Sequence, residues 1–173
     1  MKITEIWRYP VKTMAGEKLD RVGVGPLGIE GDRVVRVEDA RGRVITSRSH
    51  PRFLGHKGSL DPSSAIMVDG RPWDSPEVAA EVVDIAGPGA KLVRYDGAER
   101  FDVLPLLVAT DGAIAAFGQD LRRLRPNIVI GGGADRTRVA GRVPAKRQSA
   151  HWCPGSSPAL HHDFIRPRHP GPG

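Results

Sequence analysis

Proline and glycine punctuate the first 46 residues so regularly that only short extended segments fit between them. Ile3, Ile6 and Trp7 are apolar with Thr4 and Glu5 between them, the alternation of a strand over residues 2–9. Tyr9-Pro10 ends it, because proline has no N–H for a ladder and restricts the residue before it. Residues 11–17 read as a loop, Leu19–Val24 alternates again, and Gly25-Pro26-Leu27-Gly28 is a turn. A strand over Val34–Glu38 leads to the turn Asp39-Ala40-Arg41-Gly42 and back into Val44-Ile45-Thr46 as a hairpin. Short strands with this turn chemistry predict a β-rich, barrel-like fold.

The pattern then changes. His50-Pro51-Arg52-Phe53-Leu54 predicts one helical turn, and residues 55–76 predict loops with a single strand at Ala65–Val68 before an Asp69-Gly70 turn. A helix starts at Ser75-Pro76-Glu77: serine caps, proline suits the first helical position, and glutamate suits the positive end. Ala90–Tyr95 reads as a strand. Val103–Thr110 is apolar, but Pro105 argues against a regular central strand along its whole length. A short helix follows at Ala113–Phe117, with Asp111 as its candidate cap. Arg125-Pro126-Asn127 then precedes an apolar strand, Ile128-Val129-Ile130, that should be buried.

The 173 residues suffice for one compact domain, or for one with an extension. The formal charge of +6 reads either as a solvated basic surface or as an anion site. No basic run is interleaved with aromatics, so nucleic acid is not an expected partner. No apolar stretch approaches the ~20 residues that cross a bilayer, so no membrane association is expected. Cys153 is the only cysteine, which precludes an intrachain disulfide and makes a reducing, cytoplasmic setting the expectation.

Three clusters have chemistry to offer. Tyr9-Pro10-Val11-Lys12-Thr13 puts a cation and a hydroxyl on a stiffened loop. Gly31-Asp32-Arg33 places an ion-pairing dipeptide after a tight turn. Arg125-Pro126-Asn127 sets a planar guanidinium and an amide at a strand's mouth. Guanidinium and ammonium groups together suit a phosphate. Taken singly, each cluster also fits a surface loop or a structural salt bridge. No zinc-ribbon or His-Glu-x-x-His spacing occurs, and Gly131-Gly132-Gly133 lacks the spaced glycines and following helix of a nucleotide fingerprint.

In order and spacing, residues 2–136 resemble the MOSC family, the molybdenum-cofactor sulfurase C-terminal domain preceded by its N-terminal β-barrel-like segment. The resemblance rests on Tyr9 through Glu17, Gly28 through Arg33, and Asp39 to Gly42 with Thr46, Arg48 and Pro51. Phe101-Asp102-Val103-Leu104-Pro105 through Arg125-Pro126-Asn127-Ile128-Val129 completes it. It implies a β-rich α+β fold with short helices, divided into a barrel-like segment over residues 1–95, a partial MOSC core over 96–142 and an atypical tail over 143–173. It also implies a molybdenum cofactor, molybdopterin, held by Lys12, Thr13, Arg33, Arg125 and Asn127. The relatives reduce N-oxygenated compounds or carry sulfur, which implies a small-molecule substrate and an electron-transfer partner protein. The family is further associated with pyridoxal phosphate.

The tail departs from that pattern. Val143, Leu160 and Ile165 are the only large aliphatics from Val143 to Gly173, and neither helical nor strand periodicity runs through it, so disorder is expected. The family cysteine, whose thiolate is proposed to ligate molybdenum or carry sulfur, has only Cys153 as a counterpart here. It sits in His151-Trp152-Cys153-Pro154, away from the family motif. A shifted reading frame or a replaced C-terminus would produce such a tail, and catalysis in this chain is accordingly in doubt. The alternative is a non-catalytic cofactor- or anion-binding β-barrel, or a truncated remnant.

Overall fold

The computed structural model describes residues 1–95 and 97–132, all within the compact unit Met1–Thr137. The expectations for residues 143–173, for a changed reading frame and for Cys153 lie outside the described residues. The described chain is strand-rich with few short helices, as expected.

Strand β1 (Lys2–Arg8) is followed by β2 (Glu17–Leu19), β3 (Val24–Gly25), β4 (Gly28–Ile29) and β5 (Val35–Glu38). A 3-10 turn at Pro51–Gly55 precedes β6 (Gly58–Leu60), β7 (Ile66–Val68) and β8 (Arg71–Pro72). Helix α1 (Pro76–Ala86) then leads to β9 (Lys91–Arg94), a 3-10 turn at Ala98–Arg100 and β10 (Val108–Thr110). Helices α2 (Asp111–Phe117) and α3 (Leu121–Leu124) and strand β11 (Ile128–Gly131) complete the described fold.

The N-terminal strand lies inside a four-stranded sheet of order β10-β11-β1-β2. It pairs antiparallel with β11, from Lys2↔Gly131 to Ile6↔Ile128, and on its other edge with β2, where Arg8 faces Glu17. Strand β10 runs parallel to β11. The ends of the described chain are thus joined by backbone pairing. Elsewhere β5 pairs with β9, and β6-β7-β8 forms a meander. Asp69 and Gly70 turn between β7 and β8 with φ of 50° and 78°, as a tight two-residue hairpin needs.

Several expectations change here. Between Leu19 and Val24 the strand breaks, leaving β2 and β3 as separate pieces. The turn after β5 forms, with the Asp39 carboxylate accepting from the N–H groups of Arg41 and Arg43 at 2.8 and 2.9 Å. Its return is a single bridge, Glu38↔Val44, on the edge of β5 away from β9, where Pro10 and Lys12 already exchange hydrogen bonds with Val35. Strands β6 and β8 fall where loops were expected, since Gly58-Ser59 and Arg71-Pro72 carry no strand propensity and are paired through the central β7. Thr110, not Asp111, caps α2, accepting from Ala113 N at 3.0 Å. Ser75 caps α1 as expected, accepting from Val78 N.

Val11, Met14, Val35, Val37, Phe53, Val68, Val78 and Val82 form the heart of the core. Val78 and Val82, one helical turn apart, are the face by which α1 enters it. Close packing around the loop after β1 makes Gly16 obligatory. A Cβ there would lie 2.5 Å from Cδ1 of Tyr9 and against the carbonyl oxygen of Arg8. Gly16→Ala is therefore expected to lower stability by about 1–3 kcal/mol, read from the urea midpoint. An unchanged midpoint would show that both the Arg8 carbonyl and the Tyr9 ring can move aside.

Candidate functional site

The three clusters recognised in the sequence converge on one place, and the residue at its centre is Asp32. Its carboxylate is fully buried. It accepts from the backbone N–H of Tyr9 at 2.7 Å, from Asn127 Nδ2 at 3.2 Å and from the guanidinium of Arg33. Buried charge of this kind persists only when paired and hydrogen-bonded.

Asn127, also fully buried, is saturated. Its Oδ1 accepts from Arg33 Nη1 and from the backbone N–H of Leu107, both at 3.1 Å. Its Nδ2 donates to the Trp7 carbonyl at 3.3 Å as well as to Asp32. The amide expected to face a ligand instead holds β1, the Asp32 turn and the segment before β10 together. Arg33 is committed in the same way, with its Nη2 donating to the Arg125 carbonyl at 3.2 Å.

Arg125 differs. It caps α3 in the left-handed region, φ 56°, and its side chain turns inward to 8% exposure. Nη2 reaches the Val11 carbonyl at 3.4 Å, while Nε is buried without a hydrogen-bond partner among the described residues. Its guanidinium carbon lies 4.7 Å from the centre of the Tyr9 ring, and that of Arg33 lies 5.4 Å from the same ring. Burial and then repulsion from Arg33 push the Arg125 pKa down to about 10, which still leaves it a cation at neutral pH. Burial also pushes the Tyr9 phenol up, and its hydroxyl donates to the Pro126 carbonyl at 3.0 Å.

Lys12 borders the site. Its backbone N–H donates to Val35, and its ammonium reaches the Arg100 carbonyl at 3.2 Å and the Asp102 carboxylate at 2.7 Å. Thr13 is buried with φ 91°, and its hydroxyl donates to the Ile45 carbonyl at 2.9 Å, which braces the loop. Three of the five residues expected to hold a cofactor, Thr13, Arg33 and Arg125, thus occupy left-handed backbone that costs non-glycine residues about 1–3 kcal/mol each. Such strain concentrates at functional sites.

Tyr9 and Asp102 were quoted in the sequence motifs without a site role. The convergence that gives them one is long-range and leaves no local signal. Tyr9 also lines an open cavity of about 370 Å³ with Trp7, Leu54, Lys57 and Leu121.

One group of metal-ligating type exists among the described residues. His56, Asp69 and Glu81 have ligand atoms within 4.8 Å of one another. His56 Nδ1 is 2.8 Å from Asp69, and Arg71 is 2.8 Å from Glu81. The arginine and the imidazole thus already satisfy the carboxylates, and the group reads as an ion-pair network. No described helix is long and apolar enough to cross a membrane.

No curated protein matches the chain. Residues 1–98 match the model of the MOSC N-terminal beta barrel domain, which spans more than half of the 173 residues and contains Lys12, Thr13 and Arg33. The chain belongs to the MOSC N-terminal beta barrel domain family.

Proposed function

We propose that this protein binds the phosphorylated pterin of a molybdenum cofactor, with Lys12 and Arg125 taking the phosphate and Arg33, Asn127 and Thr13 holding them in place. The observation that carries this reading is the buried Nε–H of Arg125, a donor on a fixed cation that no acceptor among the described residues satisfies. An unsatisfied buried donor is costly. A phosphate oxygen is the acceptor that a guanidinium matches best. The family association with molybdenum cofactor supports the same ligand.

The division of labour follows from hydrogen-bond capacity. Asn127 has no capacity left for a ligand, so it positions the Arg125 backbone through Arg33. Tyr9 offers its ring to both guanidiniums and, with its phenol held neutral, adds no competing negative charge. Lys12 supplies a point charge whose present partner, Asp102, is exchangeable. When bound, the cofactor would bring the metal's redox chemistry, for reducing N-oxygenated compounds with electrons from a partner protein or for carrying sulfur. Nothing among the described residues offers a thiolate for the metal, since the one cysteine is Cys153. Cofactor binding is therefore the core of the proposal, and binding without turnover is the second reading. Its support is that the polar network is already largely satisfied within the protein.

The test is the molybdenum and pterin content of protein purified from a host that makes the cofactor, by elemental analysis and pterin fluorescence. Both are expected in near-equal amounts and both should drop in Lys12→Gln. Folded protein containing neither would overturn the proposal. Pterin and metal retained without any reduction of a hydroxylamine substrate would favour binding alone.

A further inference from the structure

Asp102 follows the buried Arg100 on a segment that no strand or helix covers until β10 begins at Val108. That segment is held at both ends. Arg100 donates to the Leu27 carbonyl at 3.2 Å, and Leu107 exchanges hydrogen bonds with Asn127, its carbonyl accepting at 2.7 Å and its N–H donating at 3.1 Å. Pro105 sits against Gly28, where a Cβ would come within 2.6 Å of the Pro105 carbonyl oxygen. Between these anchors the chain stands out in solvent, with Val103 86% and Leu104 71% exposed.

The Asp102 side chain is itself 80% exposed, yet it caps the ammonium of Lys12, which is only 16% exposed, at 2.7 Å. Arg33 and Arg48 also lie close enough to act on it electrostatically, and Asp102 acts in turn on Arg125. The Lys12 hydrogen bond, ahead of these charges, holds its carboxyl below the usual carboxylate range, so it is an anion at neutral pH. A surface carboxylate has thus come to rest on Lys12 and within electrostatic reach of Arg33, Arg48 and Arg125.

We propose that Asp102 is a tethered anion that occupies the phosphate seat on Lys12 when no ligand is bound, and so sets the affinity and the salt sensitivity of the site. This rests on the phosphate-binding reading above. Two physical facts support it. An ion pair with one exposed partner is weak, so an incoming phosphate can displace it. The tether supplies the carboxylate at high local concentration, so the site is partly filled in every molecule and apparent affinity falls by the open fraction. The anchors at Arg100 and Leu107 can stay in place while the short segment between them swings outward.

The experiment is calorimetric titration of inorganic phosphate into the full chain and into Asp102→Asn, at low salt and again at high salt. Asparagine keeps the size and removes the charge. The variant should bind phosphate about 5–30-fold more tightly at low salt, from loss of the competitor and of its repulsion. The gain should shrink at high salt, where exposed charges are screened. In Lys12→Gln the additional Asp102→Asn change should bring little gain, because the seat is gone. If the full chain binds phosphate and Asp102→Asn binds it no tighter, the tethered-anion proposal is wrong and Asp102 merely orients Lys12. If neither protein binds phosphate while both keep the same melting midpoint, the phosphate-binding reading itself fails and takes this proposal with it.

Discussion

Asp32→Ala is expected to lower the unfolding free energy by about 3–5 kcal/mol, measured from the urea midpoint at constant m-value. The carboxylate is fully buried and, among the described residues, is the only buried negative partner of Arg33. Removing it strands that guanidinium and leaves the backbone N–H of Tyr9 without its acceptor. It also takes one of the two acceptors from Asn127 Nδ2. Each orphaned neutral group costs about 1–3 kcal/mol and an unpaired charge more. The double variant Asp32→Ala/Arg33→Met should be less destabilised than the sum of the singles, because it removes the stranded charge as well. Strict additivity, or a loss below about 1 kcal/mol for Asp32→Ala, would show that the network does not hold the loop after β1 to the strand β11.

Arg125→Met is expected to do the opposite to stability and the most harm to binding. Burial is the largest cause of the Arg125 pKa shift and repulsion from Arg33 the next, so the fold bears a cost for keeping this group charged. For a base whose folded pKa lies below its unfolded value, that cost is present at neutral pH and declines as pH rises through about 10. Methionine keeps much of the apolar contact with Tyr9 and carries no charge into the interior. Replacing buried ions by apolar residues is often neutral or stabilising by about 1–4 kcal/mol. The left-handed backbone at φ 56° is equally strained for either side chain, so it cancels from the comparison. Phosphate affinity should meanwhile fall about 10–100-fold, the size of a charge-assisted hydrogen bond. A midpoint that falls along with affinity would make Arg125 a structural residue, and the proposed phosphate contact would lose its main support.

Much of the fold could be read from short-range chemistry. Ser75-Pro76-Glu77 announced α1, Pro51 its 3-10 turn and Asp69-Gly70 a turn, because caps and turns are decided by residues within a few positions of each other. Strands β6 and β8 were not legible, since Gly58-Ser59-Leu60 and Arg71-Pro72 are extended only because β7 lies between them. The same limit explains the single bridge at Val44. Its hairpin was favoured locally, but on that edge of β5 the loop after β1 takes the hydrogen bonds of Val35.

The candidate site divides in the same way. Arg33, Arg125, Asn127 and Lys12 were recognisable from residue type, because few side chains can offer fixed positive charge or paired amide groups. What each would do was decided only by the tertiary structure. Arg33 meets Asn127 across 94 positions and Tyr9 meets Pro126 across 117. No local pattern encodes which of two similar cations will be satisfied by such distant carbonyls. Arg33 finds its carboxylate in the adjacent Asp32, a pairing the dipeptide already implied. Arg125 is drawn under Tyr9 by the pairing of β11 with β1, and among the described residues its Nε is left without an acceptor. Residue chemistry determined that a basic, amide-bearing site could form. Long-range burial decided that Arg33 and Asn127 became its frame and that Arg125 kept a donor to spare.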